Sequence, residues 1–572
     1  MKIPHFFESS KLKLYTLLGV LFTLASCLQS AKEAADMVLT NGKVYTVDNQ
    51  RSWAEAIAIK NGKIAEIGSS EDIRKRIDEN TKVIDLAGRL VLPGLHDAHL
   101  HPISGAEASR FCQLTGLFQQ DAILRAVKKF ADTHPEAPVI RGRGWEMAAF
   151  PGSNPHKSLL DSILPDRPVV LTSWDGHNYW VNSKALELAG ITKDTPDPNN
   201  GRIERDPNTG VPSGTLRETA MGLISSILPK KAENADEENL KLALEMANEL
   251  GITSMMESSA GKNYLKAYKK FADEGKLTAR IVTSIGLGTE SPRTVAELVQ
   301  MRDKYQGERL NTNSVKVFAD GVPEARTAAM LQPYITEDEK KDFGILNFSL
   351  ETLKPLFDSL DGQGFQIHIH ALGDRAVRVA LDALTGLDTA HRHHLAHLQV
   401  IHPDDIPRFG SLGVIANFQP FWAKPDPLNI RTIIPLVGQE RSKQMYPMGS
   451  VQKTGGLLVA GSDWPVSTLN PWHAMQVAVT RQMIGVESTP WIPSEAVDLP
   501  SIIAAYTRNA AYCMHQENIT GSLEVGKMAD LIVLNQNIFE IAPTEIHDTK
   551  VLVTLLEGEV VYQDKENALV MR

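Results

Sequence analysis

Short apolar runs closed by glycine, proline or polar clusters recur along this chain, with amphipathic helical patterns between them. Leu90-Val91-Leu92 stops at Pro93-Gly94, Phe365 to His370 alternates apolar and polar positions before Gly373, and Leu457 to Ala460 stops at Gly461. Between such runs, Asn239 to Leu250 and Leu353 to Leu360 space their apolar residues as one face of a helix does. Strands alternating with helices predict an α/β protein whose parallel sheet closes into a (β/α)8 TIM-type barrel. The two ends read differently. Met37 to Val47 and Ala56 to Ile67 are β-rich and punctuated by Asn41-Gly42 and Asn61-Gly62, the dipeptide of tight hairpins, while Ala529 to Leu534 and Val551 to Val561 supply further strands. Neither end alone holds enough strands for a stable sheet, so residues 36–92 and 516–568 are expected to join in one small β-sandwich. Residues 93–515 are then the barrel, with a subdomain inserted at about 103–312.

The polar residues that end these runs are chemically alike. His99 and His101 stand two apart, so a strand aims both imidazoles to one side, and the apolar run before Pro93-Gly94 is read as leading into them. His370 closes a second run, His397 in His394-Leu395-Ala396-His397 a third, and Asp463 in Gly461-Ser462-Asp463-Trp464 a fourth. Nitrogen and oxygen donors near the carboxyl ends of strands suit zinc or a similar divalent ion, and barrel enzymes carry their chemistry at that end. Other readings of single residues are blander: Asp463 as the cap of a following helix, Lys316 as a strand-end lysine paired with Asp320. His391, His393 and His394 read as a solvated cluster without a role.

Longer stretches carry a resemblance. Gly142-Arg143-Gly144-Trp145, Asp175-Gly176-His177-Asn178, Asn182-Ser183-Lys184-Ala185-Leu186, Val315-Lys316-Val317-Phe318-Ala319-Asp320-Gly321, His370-Ala371-Leu372-Gly373-Asp374 and Gly461-Ser462-Asp463-Trp464-Pro465 resemble the amidohydrolase superfamily, in particular the amidohydrolase family 3 branch that includes N-substituted formamide deformylases. The resemblance runs from about Asp36 to about Asp564. It implies His99 and His101 as first-strand metal ligands, His370 and His397 as those of the fifth and sixth strands, and Asp463 as that of the eighth. Asp463 also becomes the catalytic base. Lys316 corresponds to a fourth-strand lysine that related enzymes carboxylate, a bridge between two metals. The residue before the sixth-strand histidine is often glutamate in the family and is Ala396 here; alternation puts Ala396 on the packing face, away from His397. His177 is a candidate for orienting the substrate carbonyl in catalysis and Trp145 for binding substrate, each with an ordinary structural alternative.

Composition fits a large globular enzyme: 572 residues, 42% hydrophobic and 22% charged, enough to bury a substantial core. A net charge of −10 without a basic stripe argues against a nucleic-acid partner. Lys2, Lys11 and Lys13 precede an apolar stretch from Leu14 to Leu24 that ends in Leu24-Ala25-Ser26-Cys27, which resembles a bacterial lipobox. Residues 1–27 are therefore expected to be a lipoprotein signal peptide, with Cys27 lipidated and the protein exported and membrane-anchored. Cys112 and Cys513 remain in the mature body, their pairing open.

The expected function is hydrolysis of a C–N bond in an amide, N-substituted formamide or N-acyl compound, with one or two divalent metals, zinc first among them. A cyclic amide, imide or cyclic urea hydrolase on the same site is the alternative enzyme. A cell-surface binding lipoprotein on an inactive barrel is the alternative from another class, and a homo-oligomer remains open.

Overall fold

The computed structural model describes Met1, residues 33–567 and Leu569, apart from 152–153, 175, 177, 200, 231, 288–292 and 337–340. Cys27 and His177 lie outside the described residues.

Eight strands form one all-parallel sheet: β1 (Leu95–Leu100), β2 (Ile252–Ala260), β3 (Arg280–Leu287), β4 (Leu310–Phe318), β5 (Gln366–Ala371), β6 (His394–His397), β7 (Ile415–Phe418) and β8 (Leu458–Ala460), each hydrogen-bonded to the next. Past β8 the chain returns to β1: Asp463 N–H donates to the His99 carbonyl at 2.7 Å and His101 N–H to that of Trp464 at 2.8 Å. These bonds bring the first and last strand ends together and make the sheet a barrel. Both faces of these strands are largely buried, although several, such as Leu95–Leu100 and Ile252–Ala260, carry polar residues. Leu95, Ile281, Val315, Ile367 and Leu395 pack outward into one core with Phe271, Phe357 and Leu381 of the surrounding helices.

The apolar run Leu90–Pro93 is not the barrel strand that carries His99 and His101. It pairs with Lys43–Tyr45 and Leu531–Leu534 in a separate sheet, and Pro93-Gly94 passes the chain on to β1. Gly94 lies so close to the buried Thr253 that a Cβ would overlap that side chain. The terminal strands make two sheets. One has four strands, all amino-terminal, in the order Lys63–Gly68, Ala56–Lys60, Met37–Thr40, Lys82–Asp85. The other has six and mixes both ends: Glu559–Gln563, Val551–Leu556, Leu531–Leu534, Leu90–Pro93, Lys43–Tyr45, Trp53–Ala54. Leu39 and Ile57 of the first share a core with Val91, Leu531 and Val553 of the second, so the two pack as a sandwich.

A third sheet fills part of the stretch between β1 and β2. Its six strands run in the order Gly201–Arg205, Pro212–Glu218, Asn178–Val181, Val169–Ser173, Ile140–Trp145, Cys112–Gln113. The expected insertion limit near 312 is too long, because β2 and β3 lie within that stretch and pair into the barrel. Cys112 sits in this sheet and Cys513 in the helix Arg508–Cys513; both are buried free thiols. No described helix is long and apolar enough to cross a membrane.

Candidate metal centre and active site

The carboxyl ends of β1, β4, β5, β6 and β8 converge. Asp463 Oδ1 lies 3.4 Å from both His99 Nε2 and His101 Nε2, and ligand atoms of these three residues all fall within 4.8 Å of one another. His397 Nδ1 is 3.9 Å from Asp463 Oδ2, and the His397 ring stands 4.6 Å from that of His99 and 4.5 Å from that of His370. Lys316, buried on β4, brings Nζ to 3.4 Å from His99 Nε2. The six expected residues thus meet in one place. Asp463 does not cap the following helix, whose cap is Asn470. Asp320 accepts hydrogen bonds from the backbone N–H groups of Ala329, Leu372 and Gly373, and the neighbours of Lys316 Nζ are imidazoles instead.

Ala396 overturns the alternation argument. It is in register with His370, as His394 is with His368, so it shares the face of His370 and not the packing face. His397 reaches the cluster because its backbone leaves the strand conformation, with φ +81° followed by +51° at Leu398. A bulky side chain holds such angles only at a cost that its surroundings offset, and such outliers cluster at functional sites.

Beneath the cluster lies a layer of partners that single-residue reading missed. Glu257 of β2, buried, approaches His101 Nδ1 at 3.3 Å and accepts the Tyr268 hydroxyl at 3.1 Å. Gln419 Oε1 accepts from His397 Nδ1 at 2.9 Å. His368 Nε2 faces two donors, His99 Nδ1 at 2.8 Å and Lys316 Nζ at 3.5 Å, which makes it the acceptor; its Nδ1 then donates to Ser284 Oγ at 3.0 Å. These contacts fix ring orientations and leave Nε2 of His99 and His101 toward Asp463. The available signal was weak: Glu257 is the one charged residue of Ile252–Ala260, and His368 shares the polar face of its strand with Gln366 and His370.

Electrostatics follow from burial and from these neighbours. Burial pushes the Lys316 amine down to about 7. Burial and the charge of Lys316 press His99 to about 3. For Asp463 burial works upward, but His99, His101 and His397 outweigh it and hold the carboxyl well below its ordinary range. His101 goes the other way: burial lowers it, and Asp463 with Glu257 raises it to about 9.

The cluster opens into a cavity of about 470 Å³. Its walls come from the inserted sheet's loops (Thr115, Phe118, Glu146, Trp174) and from the segment between β7 and β8 (Phe421, Trp422, Lys424, Tyr446). Trp145 is not on this wall. It is fully buried in the core of the inserted sheet, its indole N–H donating to the Leu171 carbonyl at 3.0 Å, while its neighbour Glu146 lines the cavity. Trp422 lines it too, stacked on His397 at 5.5 Å. His391 and His393 also carry a contact the sequence did not show, sharing the carboxylate of Asp361. That group is a poor metal site: His393 Nδ1 accepts the Ile367 N–H at 3.1 Å, so Nε2 keeps its proton to donate to Asp361.

A closed parallel barrel with imidazoles and a carboxylate gathered at its carboxyl end defines the class: a metal-dependent barrel hydrolase. The chain belongs to the amidohydrolase family, whose model matches residues 82–562, and it is a hydrolase acting on carbon–nitrogen bonds. It is 31% identical over 94% of both chains to the protein LONG AFTER FAR-RED 3 of Arabidopsis thaliana. It is 27% identical, over 92% of this chain and 98% of the relative, to an N-substituted formamide deformylase of Arthrobacter pascens. Among solved structures, a metal-dependent hydrolase from Pyrococcus horikoshii superposes with a TM-score of 0.70 at 25% identity, covering 89% of this chain and 99% of its own.

Proposed function

We propose that this protein hydrolyses an amide, N-substituted formamide or N-acyl compound, with His99, His101, His370, His397 and Asp463 holding zinc or a similar divalent ion and Lys316 available to hold a second. The observation that carries the reading is the convergence of His99, His101 and Asp463 inside a deep cavity. The donor set fits a borderline divalent ion: buried imidazole nitrogens and a carboxylate, most with an oriented second contact. Lys316 fits as a carbamate, since burial favours its neutral amine and only a neutral amine adds to carbon dioxide. Bound there, a divalent ion supplies Lewis-acid polarisation of a carbonyl and acidifies water near neutral pH.

The protein's own residues do the rest. Asp463, kept ionised by the imidazoles around it, accepts the proton of the attacking water and returns it to the leaving nitrogen as the C–N bond breaks. Glu257, Gln419 and His368 keep the ring nitrogens pointed inward. The walls from the inserted sheet and the β7–β8 segment exclude bulk water and hold the substrate. His177 belongs to the same proposal as a carbonyl-orienting residue, and so does export of the chain with Cys27 lipidated; loss of palmitate labelling in Cys27→Ser tests the latter.

Asp463→Asn is the test of mechanism. Turnover of an amide and formamide panel is expected to fall by about 10³-fold or more, while a slow-turnover amide still binds. Activity that survives this substitution rules out Asp463 as the proton carrier.

A further inference from the structure

Past the metal-facing residues the cavity changes character. Six aromatic rings line it, those of Phe118, Trp174, Phe318, Phe421, Trp422 and Tyr446. The charged groups on this part of the wall include one ammonium, Lys424, and three carboxylates, Glu146, Asp426 and Glu324. Lys424 is already committed. Its Nζ donates to the Phe421 carbonyl at 2.7 Å, pairs with Asp426 at 3.3 Å and sits 3.7 Å above the Phe421 ring. Burial, with the charges of Asp426 and Glu324 adding to it, pushes the Tyr446 hydroxyl well above its ordinary value. Lys316 is turned toward His99 and His368 at the metal end.

We infer that this wall selects an uncharged amide bearing an aromatic or bulky apolar arm and rejects an arm that ends in a carboxylate, with the Lys424–Asp426 pair as the specificity element. The inference rests on the amide-hydrolase reading of the same site. An apolar ring gains contact with the aromatic wall and leaves water. A carboxylate entering there loses its hydration and finds the one ammonium on that side already held by Asp426 and the Phe421 carbonyl. Rejection comes from the unpaired charge more than from shape, as in sites built to leave the wrong substrate's polar groups unsatisfied.

The experiment uses the full, metal-loaded chain with N-benzylformamide and N-benzylacetamide, each paired with its 4-carboxy analogue, so that the reacting amide is constant within a pair. The neutral member is expected to have a kcat/KM higher by about a hundredfold. Equal rates or preference for the carboxylate overturn the inference. If neither member is turned over, the amide-hydrolase reading fails separately, and calorimetric titration of the same pairs scores selection: tighter binding of the neutral member by about tenfold supports it, while equal, reversed or undetectable binding overturns it. Asp426→Asn supplies the second arm. Asparagine keeps an acceptor for the Asn429 N–H, which Asp426 holds at 3.0 Å, but frees the Lys424 ammonium. The neutral-to-carboxylate ratio is expected to narrow by about tenfold; an unchanged ratio removes the ion pair from the account.

Discussion

His397 shows how much of this site depends on single torsions and single contacts. Its positive φ turns the ring off the strand's alternation, and Gln419 and Trp422 then hold it from two sides. Gln419→Ala removes the acceptor on Nδ1 and frees the ring to rotate or change tautomer. Metal affinity is expected to fall by about 10–100-fold with the melting temperature of the metal-free protein little changed, as read by competition with a chromophoric chelator. Unaltered affinity makes the contact incidental. At this scale the sequence displayed which residue types meet but not how they are aimed. His99 and His101 were legible as imidazoles two apart, His370 as the end of an alternating run and Asp463 as the end of an apolar one. His397 was read as the end of a run as well, although its backbone breaks the alternation. Glu257 and Gln419 escaped because their roles exist only through a neighbour brought from another strand.

Among the elements, two identical dipeptides behave differently, and the reason is tertiary. Asn61-Gly62 closes the hairpin between Ala56–Lys60 and Lys63–Gly68, with φ of 50° and 73° as a two-residue turn requires. Asn41-Gly42 makes no hairpin: Met37–Thr40 stays in the four-stranded sheet and Lys43–Tyr45 crosses to the six-stranded one. Gly42 packs so tightly against Leu86 that a side chain would overlap it, a requirement no local pattern announces. The same holds at Pro93-Gly94, which reads as the end of a catalytic strand and is in fact a junction between sandwich and barrel. Gly94→Ala presses a methyl into the buried Thr253 and is expected to cost about 1–3 kcal/mol in urea unfolding; a variant as stable as the parent contradicts the tight junction.

Over the whole molecule, the sandwich is tied to the barrel by a buried ion cluster. Arg280 at the start of β3 pairs with Asp530 at 3.0 Å and with Glu557 at 2.7 Å, and Arg309 reaches the same Glu557. Asp530→Ala leaves the buried guanidinium short of a partner and is expected to destabilise by about 3 kcal/mol or more, measured as a lower denaturant midpoint; no shift means that Glu557 alone satisfies Arg280. The barrel was readable from the sequence because strand patterns alternate with amphipathic helices along it, even though a strand such as Leu95–Leu100 or Ile252–Ala260 is not an apolar run. The extent of the insertion was not, because its strands carry the same local signals as β2 and β3 and only pairing tells them apart.

The central claim is that residues from distant strands gather into one metal centre. The most direct measurement is metal content per chain by mass spectrometry, on protein purified without chelators, for the parent and for a His99→Ala/His101→Ala variant with an unchanged circular dichroism spectrum. The account predicts one or two divalent ions per parent chain and a loss of at least one in the variant. Equal metal content in the two proteins, or none in the parent after reconstitution, would contradict it.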